Sequence, residues 1–85
     1  MIYLLGASGN IGTNLSNLFR TKGISHIAVS RLPSKSTISF SNFLEILANN
    51  KDILVINAAK LNDADLNSLK KSSKKCTRII HISSV

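Results

Sequence analysis

Four apolar residues, Ile2-Tyr3-Leu4-Leu5, run directly into Gly6-Ala7-Ser8-Gly9-Asn10-Ile11-Gly12. A continuous apolar tetrapeptide reads as a strand buried on both faces, the kind found inside parallel sheets. The glycines behind it, at a spacing of three, suit a tight turn that opens a helix. A strand, glycine turn and helix in that order put a helix N-terminus, with its unpaired N–H groups, at the carboxyl end of a strand, where a pyrophosphate can bind. In such a joint Gly6 permits the sharp exit from the strand. Gly9 leaves out a side chain where a phosphate would approach, and Gly12 lets the helix pack close to the sheet.

The remainder of the chain repeats the alternation. Ile11, Leu15, Leu18 and Phe19 fall at i, i+4, i+7 and i+8, which predicts a helix with one apolar stripe against the sheet. Gly23 is placed to end it as the residue just past the C-cap. His26-Ile27-Ala28-Val29 reads as a second strand and Leu32-Pro33-Ser34-Lys35-Ser36 as a loop. Ser39-Phe40-Ser41 reads as a short extended piece. Asn42 with Glu45 has the spacing of a capping box and opens a helix that Asn49-Asn50 closes. Asp52-Ile53-Leu54-Val55-Ile56 is counted as the third strand. Asn62 and Asp65 form another cap pair, flanked by Leu61 and Leu66 as a hydrophobic staple, for a helix over about Asp63 to Lys74. Arg78-Ile79-Ile80-His81-Ile82 is the fourth strand. This β-α-β-α-β-α-β alternation predicts a Rossmann-type, three-layer α/β fold. Its parallel sheet takes the doubly wound order 3-2-1-4, with the glycine turn at the point where the order reverses.

Composition narrows the classes. The net charge is +7, and lysines 70, 71, 74 and 75 supply four of the eleven basic groups. They cluster at one predicted helix end, where cations complement the dipole. No aromatic platform interleaves them, so nucleic acid is not an expected partner. No apolar run approaches the about 20 residues of a membrane span, so no membrane is expected either. The lone Cys76 allows no internal disulfide, and no apolar leader precedes the first strand; both point to a cytoplasmic location. Neither His26 nor His81 has a second ligand at metal-binding spacing, so no metal site is expected.

The G-x-x-G-x-x-G spacing of Gly6, Gly9 and Gly12 resembles that of the short-chain dehydrogenase/reductase superfamily, in its extended and atypical branches of NAD(P)-dependent epimerases and dehydratases. The resemblance implies that Gly6, Ser8, Gly9, Asn10, Ile11 and Gly12 hold the cofactor's pyrophosphate. It also implies that Asn57-Ala58-Ala59 lines the pyrophosphate and ribose region, and that Ser84, in His81-Ile82-Ser83-Ser84-Val85, is the hydroxyl that bonds the substrate oxygen. An acid about twenty residues past the first glycines marks an NAD site. Ser30 and Arg31 stand there instead. Ser30 repels no 2′-phosphate and Arg31 can pair with one, which favours NADP over NAD.

The family's Tyr-x-x-x-Lys pair has no match: the only tyrosine, Tyr3, lies in the first strand with Ala7 four residues on. The segment between Ala59 and the last strand is also shorter than in extended members, which leaves the family's helix-mediated dimer open. The expectation is therefore that residues 1–85 form the N-terminal half of an NAD(P)-binding domain, inactive alone. Its parent would be an epimerase, dehydratase or reductase acting on a keto or hydroxy carbon, as of a nucleotide sugar. A non-enzymatic NADP-binding redox sensor of the atypical branch fits the same residues.

Overall fold

The computed structural model describes residues 1–7, 9–30, 37–73 and 77–82. Ser8, residues 31–36 with Arg31, Lys74, Lys75 and Cys76, and residues 83–85 with Ser84 lie outside the described residues.

Apolar runs and helical stripes alternate, and the elements follow: β1 (Ile2–Leu5), α1 (Asn10–Thr21), β2 (Ile27–Ser30), β3 (Thr37–Ser39), α2 (Phe40–Asn49), β4 (Leu54–Asn57), α3 (Asp63–Ser72) and β5 (Arg78–His81). The strands form one parallel sheet in the order β3-β2-β1-β4-β5. The doubly wound 3-2-1-4 order is thus present and continues into a fifth strand, giving a Rossmann-like α/β fold. Third place belongs to the short Thr37–Ser39. The segment counted third in the sequence lies beside β1 as β4, with Leu5 opposite Asn57. The cause is local: Ser39 ends β3 and caps α2 at once, its Oγ accepting from Asn42 N–H at 3.2 Å. The capping box expected at Asn42 and Glu45 therefore starts three residues earlier, and α2 carries the chain back to the far side of β1.

Side chains alternate across the sheet. Tyr3, Leu5, Val29, Ile53 and Val55 join Phe43, Leu47 and Leu69 in one core on the α2 and α3 side. Phe43 is fully buried, with ring centroids 5.5 Å from Tyr3 and 6.0 Å from Phe40. Leu4, also fully buried, points to the opposite face, where α1 packs on β1. That second face is less covered: Ile80 of β5 is 50% exposed.

The expected α1 stripe is rotated. Gly12 and Ser16 are its buried residues, and Leu18 is 49% exposed. Small residues at these two places let the helix settle on the glycine turn; leucines there would hold it off. Ser16 Oγ also bonds His26 Nε2 at 2.8 Å, and Phe19 meets the same ring edge-on. The helix ends as expected. Gly23 takes φ +69°, with Gly23 N–H donating to the Arg20 carbonyl and Ile24 N–H to that of Phe19, the paired bonds of a Schellman motif. Asn49 and Asn50 each donate a side-chain N–H to a carbonyl four residues back, closing α2. Asn62 caps α3 by accepting from Asp65 N–H at 2.8 Å. That helix stops at Ser72, because Ser73 takes extended backbone angles; its N–H closes the last helical bond to the Leu69 carbonyl and its hydroxyl donates to the same oxygen.

Two glycine substitutions should separate sharply in urea unfolding. A methyl group on Gly12 would overlap the Gly6 carbonyl, an overpacking cost of about 3 kcal/mol that the gain of about 1 kcal/mol in helix propensity cannot offset. Gly12→Ala should lose about 2 kcal/mol. Gly23→Ala meets no atom within 4 Å and should lose only the left-handed penalty of about 1 kcal/mol.

Candidate functional site

The site begins where β1 ends. Gly6 adopts φ +75°, and Gly9 N–H donates to its carbonyl at 3.0 Å to close the turn. A Cβ on Gly6 would lie 2.8 to 2.9 Å from the backbone of Ala58 and Ala59. The turn is therefore pressed against the chain leaving β4, and Ala58 N–H donates to the Leu5 carbonyl at 3.0 Å. From here the chain departs in opposite directions, toward β2 after β1 and toward β5 after β4. This is the topological switch point, where open α/β sheets leave a crevice at their carboxyl edge.

The tip of α1 opens at that crevice. Its N-cap is Gly9, which has no side chain to cap the first turn, and the first turn carries no acid. The first intrahelical bond of the cap is Thr13 N–H to the Gly9 carbonyl at 2.8 Å. The N–H groups of Asn10, Ile11 and Gly12 thus belong to the set a helix leaves without intrahelical partners. Thr13 Oγ1 donates to the Ala7 carbonyl at 3.2 Å and ties the turn to the helix.

Asn57 closes the other wall. It is only 5% exposed. Its Oδ1 accepts from Ala59 N–H at 3.0 Å, its Nδ2 lies 3.1 Å from His81 Nδ1, and its carbonyl accepts from Ile82 N–H at 2.9 Å. One side chain thereby fixes the turn after β4 and joins it to β5. Beside it lies a cavity of about 260 Å³ walled by Ala58, Leu61, Leu66, His81 and Ile82. The expected staple pair Leu61 and Leu66 face this same space.

Of the residues named from the sequence, Gly6, Gly9, Asn10, Ile11, Gly12, Asn57, Ala58 and Ala59 meet at the switch point. Ser30 ends the neighbouring strand β2, next to Val29, which pairs with Leu5. Ser8, Arg31 and Ser84 are outside the described residues. His81 was read as an ordinary strand residue; its pairing with Asn57 depends on β4 lying directly beside β5. Placing the Asp52–Ile56 segment next to β2 hid that.

No family model matches this chain, and no curated protein matches it. Among solved structures it is similar to a crystal structure from Burkholderia pseudomallei described as a "Putative exported protein", with a TM-score of 0.66 and 20% identity. The match covers 98% of this chain and 47% of that one, so the chain spans about half the neighbour's length. At this identity the likeness shows the fold. The cytoplasmic location expected from the sequence is withdrawn, because this neighbour is described as exported. A lone cysteine and an apolar strand near residue 1 do not identify a compartment.

Asn57→Ala should remove the acceptor for Ala59 and the partner of His81 together. The expected loss is about 1–3 kcal/mol in urea unfolding, with no change in the parallel-sheet circular dichroism of the folded state.

Proposed function

We propose that this chain is the NADP-binding portion of an NAD(P)-dependent epimerase, dehydratase or reductase, similar to the extended and atypical short-chain dehydrogenases. One observation carries the reading: an uncapped helix tip, free of acidic side chains, opens at the switch point beside a glycine turn pressed onto Ala58-Ala59. Gly6 through Gly12 would hold the pyrophosphate with main-chain N–H groups and the positive end of α1. Asn57 would keep the Ala58-Ala59 backbone in place beneath the ribose. Ser30 and Arg31 would admit and pair the 2′-phosphate, which selects NADP over NAD. Bound there, the cofactor supplies a hydride for a keto or hydroxy carbon, as of a nucleotide sugar. Ser84 would orient the substrate oxygen.

The redox-sensor reading uses the same residues. Tyr3 is 6% exposed and stacked near Phe43 in the core, so under either reading this tyrosine is no proton donor at the carboxyl edge. Residues 1–85 should bind NADPH without ketone-dependent oxidation under both readings; a Tyr-x-x-x-Lys pair in a downstream reading frame favours the enzyme, and its absence from a full-length frame favours the sensor.

Gly9→Asp tests the site itself. Gly9 has extended backbone angles, and a Cβ there meets only the Gly6 carbonyl at an ordinary 3.5 Å. Aspartate is a favoured N-cap, so the melting temperature should hold or rise. The same carboxylate at the helix tip should repel the pyrophosphate and weaken NADPH binding about tenfold or more. NADPH binding is followed by the fluorescence of the nucleotide, and the unsubstituted protein should prefer NADPH to NADH. A variant that is stable and binds NADPH as tightly as the parent would overturn the reading.

A further inference from the structure

The orientation of the Asn57 amide is settled by its neighbour. Ala59 N–H can only donate, so the atom 3.0 Å from it must be the oxygen, Oδ1. The other end of the amide is then the NH₂ group, which can only donate, and the ring nitrogen 3.1 Å away, Nδ1 of His81, must accept. A ring accepting at Nδ1 carries its single proton on Nε2. Among the described residues, no other hydrogen bond of His81 accompanies this one. His81 itself lines the cavity formed with Ala58, Leu61, Leu66 and Ile82. The space, about 260 Å³, has room for about nine waters or one small ring. Most of its wall is apolar; Lys60 also lines it, and Lys60 and His81 both reach solvent at its open side.

We infer that this cavity binds a small ring bearing a neutral carbonyl oxygen, which accepts from His81 Nε2–H while Asn57 holds the imidazole in that tautomer. The carbonyl can belong to a carboxamide, as at the nicotinamide end of the cofactor proposed above, or to a free ketone. The carboxamide source rests on the dinucleotide reading; the ketone source does not. His81 makes direct contact with the ligand, and Asn57 is a positioning residue acting through it.

The test is nitrogen-15 NMR of the imidazole in the 85-residue protein, alone and with benzamide, cyclohexanone or methylenecyclohexane, a ring of similar size with no acceptor atom. The unliganded protein should show His81 as the Nε2–H tautomer. Benzamide, cyclohexanone or both should shift its Nε2–H resonance, and methylenecyclohexane should not. A shift with benzamide alone assigns the carboxamide source, and one with cyclohexanone alone the ketone source. Asn57→Asp keeps an acceptor for Ala59 but offers the ring an oxygen, so the proton should move to Nδ1 and the response should vanish. His81→Phe should weaken the responding probe about tenfold, the equivalent of one lost hydrogen bond. An Nδ1–H tautomer in the unsubstituted protein, or no response to either carbonyl probe, overturns the inference, and both are read without any variant. An intact His81 response in Gly9→Asp with NADPH binding lost, or the reverse, keeps this inference distinct from the dinucleotide reading.

Discussion

The Gly6 carbonyl occupies the place where a side chain on Gly12 would have to go. The first turn of α1 can sit on the end of β1 only because nothing projects from that position. Once seated, the helix fixes the turn, the turn meets the backbone of Ala58 and Ala59, and β4 is drawn in beside β1 with Leu5 opposite Asn57. Every feature of the candidate site depends on this contact between two glycines. The opening at the helix tip, the crevice at the strand reversal and the pinned Asn57 all follow from how closely the two backbones approach.

Local chemistry was easily read from the sequence. Gly23 just past the last helical turn, Asn62 three residues before Asp65, and Asn49-Asn50 behind α2 each act within a few residues of themselves, and each does what its spacing implies. The alternation of elements and the doubly wound parallel sheet were legible for a related reason, that buried parallel strands have apolar runs that helices interrupt; which segment takes which place was not, since Thr37–Ser39 stands third and Arg78–His81 lies beside β4 rather than β1. What was hidden required knowing which elements touch. Ser39 both ends a strand and caps a helix, so a three-residue strand and a helix start were compressed into one position. The burial of Gly12 and Ser16 in place of Leu15 and Leu18 reflects how close α1 comes to the sheet, a distance that periodicity does not encode. The Asn57–His81 pair needed the register between β4 and β5.

The site is built chiefly from main chain. Glycines and alanines supply surface and N–H groups, and the buried Asn57 side chain is spent on the backbone and on His81. Such a surface suits a ligand whose own charge does the selecting, because a helix tip and main-chain amides favour anions without distinguishing among them. Discrimination must come from the margins: the end of β2 on one side, and the cavity with His81 on the other. These positions differ in kind. At Ser30 the local acid of an NAD site is missing, whereas at His81 a donor has been added and its proton fixed by a neighbour.

β1 is the middle strand of five, with partners on both sides and buried side chains toward both faces. Its amides can meet solvent only when the sheet comes apart as a whole, whereas β3 and β5 lie at the margins. Deuterium should enter Leu4 and Leu5 last. The glycine turn thus hangs from the slowest-opening strand of the domain, and a bound anion would be held by the part of the chain whose backbone is least often exposed.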